Sequence, residues 1–177
     1  MLDRSDFWTT PPEALTGEGI SVRLLPPLPQ AMVSGDLDGF AAANGLPQPA
    51  GLLAEVKGPR YALRLARNRM LAVGIDLDPA SAGWVDGAAL TPMTGALAVV
   101  EIAGENAMAL VARGTAVDPR QPSASAALMF AGVTSVLYRH EGVLRLHLDR
   151  GLVPYLMDWC AATDLFSSSR SIERTNR

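Results

Sequence analysis

Between Leu97 and Cys160 the apolar periodicity changes four times, and every change coincides with a turn or a capping residue. Strand spacing and helical spacing alternate over little more than sixty residues, so this stretch has to pack helices against a sheet. The run Leu97-Ala-Val-Val-Glu-Ile102 reads as a short strand ended by Ala103-Gly104. Glu105 to Arg113 then places Ala107, Met108 and Val111 at helical spacing, with Gly114 suited to the left-handed position that follows a helix.

Val133–Arg139 and Val143–Asp149 are joined by only His140-Glu141-Gly142, a connection that favours an antiparallel hairpin. In the second arm Leu144, Leu146 and Leu148 share one face. Val143, Arg145, His147 and Asp149 share the other, which the alternation predicts to be mostly wet. Leu152, Tyr155, Leu156, Trp159 and Cys160 follow as an amphipathic helical stripe, with Pro154 tolerated in its first turn. The order strand, helix, strand, strand, helix is most of a ferredoxin-like α+β unit, an antiparallel sheet with helices on one face.

The 177 residues suffice for one domain with a core and an extended segment. Hydrophobic content of 49% with 19% charged residues suits a packed domain, and no apolar run approaches the roughly 20 residues that span a bilayer. A net charge of −3 argues against a nucleic-acid partner, which would need clustered Lys and Arg. Arg60, Arg64, Arg67 and Arg69 are the densest cationic group and read as a solvated or interface-facing strand edge. One cysteine excludes an internal disulfide, and Met1–Asp6 lacks the basic flank and apolar core of a secretory signal, so a cytoplasmic setting is expected.

Residues 1–58 hold seven of the thirteen prolines and seven of the sixteen glycines. They read as an extended arm lying over the domain or over another subunit, since they retain Phe7, Trp8, Leu15, Ile20, Val22, Leu24 and Leu25. Phe7, Trp8, Leu24 and Leu25 are the expected partner-facing residues of that arm. The α+β domain is expected over 59–166, and 167–177 is expected to be a mobile tail. Tyr61–Ala66 and Met70–Ile75 read as two further strands of the same sheet. Ile75 to about Gly95 reads as a loop, with Trp84 on the core in preference to a partner contact. Ser123 is a candidate cap for a short helix through Phe130.

Catalytic signatures are absent: there is no dinucleotide glycine motif, no phosphate-binding loop and no nucleophile elbow. The two histidines read as a turn residue, His140, and a solvent-facing strand residue, His147. Cys160 reads as a core thiol, Asp76 and Asp78 as flanks of a proline turn, and Asp36 and Asp38 lack the ligand spacing of a calcium loop. No catalytic, cofactor-binding or metal-ligating residue is therefore assigned.

The run from Gly95 to Asp118, followed by Val133-Thr-Ser-Val-Leu-Tyr-Arg139 and Leu144-Arg-Leu-His-Leu-Asp-Arg-Gly-Leu-Val-Pro-Tyr-Leu-Met-Asp-Trp159, resembles the gamma subunit of heterotetrameric sarcosine oxidase. That family is similar to the folate-binding domain of glycine-cleavage aminomethyltransferases. The resemblance covers about residues 60 to 162. It implies a structural subunit of a complex that oxidatively demethylates sarcosine or another N-methyl amino compound. It also implies a large folate- and nucleotide-binding alpha-type partner, a flavin-binding beta-type partner and a small delta-type partner, which together carry FAD, FMN, tetrahydrofolate and NAD. Folate-using relatives place a longer hairpin with an acidic residue before the strand that corresponds to Val133–Arg139. Here Ala126–Gly132 fills that interval without a carboxylate. A stand-alone folate-binding aminomethyltransferase-like protein is the alternative expectation, and a binding module that works without a partner is a third.

Overall fold

The computed structural model describes residues 12–121 and 123–166. In chain order its elements are β1 (Ala14–Gly17), β2 (Ile20–Leu24), β3 (Gln30–Gly35), α1 (Leu37–Ala43), β4 (Glu55–Val56), β5 (Tyr61–Ala66), β6 (Arg69–Val73), β7 (Gly83–Val85), β8 (Ala88–Pro92), β9 (Leu97–Ala103), α2 (Ala107–Gly114), β10 (Ala127–Phe130), β11 (Val133–His140), β12 (Val143–Asp149) and α3 (Val153–Ala162). The fold is α+β, with two sheets and few helices. The first sheet runs β1-β2-β9-β12-β11-β10, with β4 parallel to the far end of β11. The second runs β5-β6-β3-β8-β7, and its neighbours are all antiparallel.

Period-2 alternation fixes the layers. The register places Leu144, Leu146 and Leu148 of β12 opposite Ile102, Val100 and Ala98 of β9. That shared face is buried against Ala107, Leu110 and Val111 of α2 and Val153, Leu156, Met157 and Cys160 of α3. Each such leucine, fully withdrawn from water, contributes about 1.5–3 kcal/mol. The opposite face of the first sheet meets the second sheet, where Val56, Val136 and Tyr138 pack with Tyr61, Leu63, Leu71 and Val73. The outer face of the second sheet is covered by α1, through Leu37, Ala41 and the following Leu46. Met70-Leu-Ala-Val73 is buried at every position because β6 has a layer on each side.

This layering corrects several expectations. Within the described residues, the segment expected as an arm over 1–58 is built into both sheets. Its β2 is hydrogen-bonded to β9, and its β3 is the central strand of the second sheet. The prolines fall in the connections, chiefly at Pro26, Pro27 and Pro29 between β2 and β3, where no ladder hydrogen bond is lost. Phe7 and Trp8, and the expected tail over 167–177, lie outside the described residues. Tyr61–Ala66 and Arg69–Val73 form their hairpin, but in the second sheet. The place beside β9 is taken by β2 instead.

The expected loop before Gly95 contains the β7–β8 hairpin, turned at Asp86-Gly87, where both residues have positive φ. An Asp-Gly pair between short apolar runs is a strong hairpin signal, because a type I′ turn needs that backbone at both central positions. Trp84 on β7 is 72% exposed and outside the core. Ser123 caps no helix, since Ala127–Phe130 is β10, paired antiparallel with β11 across Ala131-Gly132. Ala-Leu-Met is locally willing to be helical, but pairing with β11 and burial of Phe130 override that preference.

Two helix readings also shift. The buried stripe of α3 is Val153, Leu156, Met157 and Cys160, whereas Leu152 and Tyr155 are exposed. The helix is rotated toward the sheet by about one residue relative to the stripe read from spacing. Gly114 is the last residue of α2 and has no positive φ. It is small because a Cβ there would stand 2.5 Å from the Phe130 ring.

Candidate functional site

The face of β12 expected to be wet is the seam between the sheets, and a line of buried polar side chains runs through it. His147 is 1% exposed, Gln30 0% and Tyr138 0%. Gln30 opens β3, Tyr61 opens β5, and Tyr138 and His147 lie opposite each other's strands on β11 and β12. Four strands from three separate parts of the chain thus meet in one line. The Gln30 amide nitrogen donates to the Leu97 carbonyl at 3.2 Å, so its oxygen faces His147 Nδ1 at 2.7 Å and accepts. His147 Nε2 then accepts from the Tyr138 hydroxyl at 2.8 Å, which in turn accepts from the Tyr61 hydroxyl at 2.7 Å. Every buried side-chain polar atom among the described residues is satisfied.

Electrostatics follow from this burial. Desolvation, joined by the nearby Arg145 charge, pushes His147 down to about 3, so the imidazole is neutral in ordinary buffers. Desolvation, with Tyr61 alongside, holds the Tyr138 phenol far above its usual range. The line ends on the main-chain carbonyl of Leu97, which cannot pass a proton onward. Its physical effect is to lock the two sheets in register.

Where the seam opens, between the start of β5 and the β11–β12 hairpin, there is a cleft of about 610 Å³. Leu28, Pro29 and Val73 supply apolar wall, and Tyr61, His140 and Arg145 face it from the polar side. His140 is not a free turn residue: it ends β11, its Nε2–H donates to the Gly58 carbonyl at 2.9 Å, and its ring stands 5.3 Å from that of Tyr61. Arg145 shares Glu101 with Arg23, at 3.2 Å and 2.8 Å respectively. Partial burial works against the Glu101 charge, but hydrogen bonds from Arg23 and Arg145 outweigh it and keep the carboxyl below its usual range. The cleft wall itself carries the guanidiniums of Arg60 and Arg145 and the carboxylate of Glu141, and Arg145 is tied behind it to the Glu101–Arg23 pair, so the charges sum to a net positive that suits a carboxylate or another small anion.

The other singled-out residues have local roles. Asp36 caps α1 by accepting from the Gly39 N–H at 2.9 Å, and Asp78 accepts from the Ala80 N–H at 2.9 Å in a short 3₁₀ turn. Arg64 and Arg69 bond the Arg67 carbonyl and the Ser34 hydroxyl at the surface, and Arg60 reaches from the cleft to the Asn44 carbonyl. Leu24 and Leu25 are half-buried, and Leu24 packs on the helix-side core. Burial pushes the Cys160 thiol up to about 12. Cys160 is therefore expected to resist a thiol reagent such as dithionitrobenzoate in the native protein and to react fully in denaturant; rapid native labelling would contradict its packing.

The three described helices begin differently: α1 starts behind the carboxylate of Asp36, which accepts from the Gly39 N–H, whereas α2 and α3 carry no side-chain cap, and α3 has Pro154 in its first turn. The β10–β11 hairpin turns at Ala131-Gly132 and brings no carboxylate to the sheet end.

No family model matches the chain, and no curated protein matches it. A solved structure does: the heterotetrameric sarcosine oxidase from Corynebacterium sp. U-96 in complex with pyrrole 2-carboxylate aligns with a TM-score of 0.61 and 18% identity. The chain shares its fold with a heterotetrameric sarcosine oxidase chain. The alignment covers 82% of this chain and 86% of that one, so the two are of comparable length. The fold therefore agrees with the resemblance read from the motif series. The polar line could not be read from spacing: Gln30 and Tyr61 carry no signal of their own, and an isolated His147 on an alternating strand looks solvated until a second sheet covers it.

Proposed function

We propose that this chain is a non-catalytic, gamma-type subunit of a heterotetrameric sarcosine-oxidase-like complex that oxidatively demethylates sarcosine or another N-methyl amino compound. The observation that carries this reading is the match, over most of both chains, to a chain of similar length in a heterotetrameric oxidase. The strand order β2-β9-β12-β11 beneath α2 and α3 supports a ferredoxin-like unit of the aminomethyltransferase folate-binding type, with its edge strand supplied from the N-terminal segment. The satisfied polar line supports a structural rather than a catalytic interior.

On this reading FAD, FMN, tetrahydrofolate and NAD reside on an alpha-type large subunit and its beta- and delta-type partners. Phe7, Trp8, Leu24 and Leu25 contribute to contact with the large subunit, in the cytoplasm. The chain, co-expressed with its neighbouring genes, is expected to elute in size-exclusion chromatography with a larger protein whose peak carries flavin absorbance. A colourless lone peak, together with saturable tetrahydrofolate binding, would replace this reading with the stand-alone folate-binding one.

A further inference from the structure

The second sheet ends at β7, whose outer edge pairs with no other strand among the described residues. Trp84 lies on this edge strand, 72% exposed, and Val85 beside it is 45% exposed. The β7–β8 register puts Val85 on the α1 side, with Ala88 and Leu90, and Trp84 on the opposite side, with Ala89. A groove of about 450 Å³ runs between α1 and this hairpin, walled by Phe40, Leu77, Val85 and Leu90. An unpaired strand flanked by an exposed indole and an apolar groove is the geometry that accepts an added strand.

Charge selects what is added. Residues 36–44 and 76–92 carry Asp36, Asp38, Asp76, Asp78 and Asp86 and no Lys or Arg. None of the five forms an ion pair among the described residues. A second copy of the chain would bring the same carboxylates to the same edge, so self-pairing is opposed. We propose that the β7 edge receives an extended, lysine- or arginine-bearing segment of a different protein, which adds a strand beside β7, covers Trp84 with an apolar side chain and sets its cations against Asp76 and Asp86. This surface lies apart from Leu24 and Leu25, and its test does not depend on the flavin complex.

The full chain is titrated with a nine-residue peptide of alternating lysine and valine, and with its glutamate counterpart. Hydrogen exchange of residues 83–85 and the tryptophan emission lost in Trp84→Phe report binding at the edge. The lysine peptide is expected to slow exchange at 83–85 and to weaken as salt is raised. Trp84→Ala should reduce its affinity about tenfold or more. The Asp76→Asn/Asp86→Asn pair, which keeps the Asp86 turn because asparagine also adopts positive φ, should lose about three- to tenfold. Three results would overturn the proposal: no protection, equal binding of the glutamate peptide, or protection at 83–85 that arises from concentration-dependent self-association in light scattering.

Discussion

Replacing His147 with leucine is expected to destabilise the protein by about 3 kcal/mol, because the substitution strands two buried polar groups. The Gln30 Oε1 atom would lose the His147 Nδ1–H donor, and one hydroxyl hydrogen of the Tyr61–Tyr138 pair would lose its acceptor. The pH profile separates this from a simple packing defect. The folded-state value for His147 lies near 3, below the unfolded 6.5, so the unfolded chain takes up a proton first. Stability is therefore fully present above pH 6.5 and falls as pH drops, by about 2 kcal/mol at pH 5. Glu101, with its lowered value, adds a further loss only at more acidic pH, as the unfolded carboxylate protonates. Urea unfolding of the wild type between pH 7.5 and 5 should show the decline, and His147→Leu should be flatter over that window. Parallel profiles would mean that the imidazole is not the group being charged.

Phe130→Ala is expected to cost about 3–5 kcal/mol, the range for an aromatic removed from a closed core. Phe130 is fully buried at the end of β10, with its ring edge-on to Trp159 at 5.6 Å and against the Cα of Gly114. It ties the β10–β11 hairpin to α2 and α3 at once, so the cavity is bordered by three elements that cannot collapse together. Gly114→Ala alone should destabilise by about 1–3 kcal/mol through overpacking, since its Cβ would meet that ring at 2.5 Å. In the Phe130→Ala background the same change should cost little or even help. Thermal or urea unfolding of the four proteins forms a double-mutant cycle, and additivity would show that the two sites do not share the space.

Much of the first sheet was legible in the chain because its signals are local. Leu144, Leu146 and Leu148 alternate without interruption, Glu141-Gly142 fits a tight hairpin, and Pro154 is placed where only a first turn accepts it. The Asp86-Gly87 turn is equally local, but the segments around it are short and small, so alternation alone does not mark them as strands. The density of proline before Lys57 suggested an arm, although prolines confined to connections leave the strands between them intact.

The sequence by itself determined the element types from Leu97 to Cys160 and the α+β class, because strand and helix periods are properties of neighbouring residues. Tertiary structure alone decided which strands share a sheet: β2 and β9 are joined across more than seventy residues, by hydrogen bonds that leave no trace in either segment. It also decided that Arg145 and His147 face a second sheet rather than water. Alternation states that two faces differ, but whether the polar face meets solvent or another layer depends on chain that arrives from elsewhere.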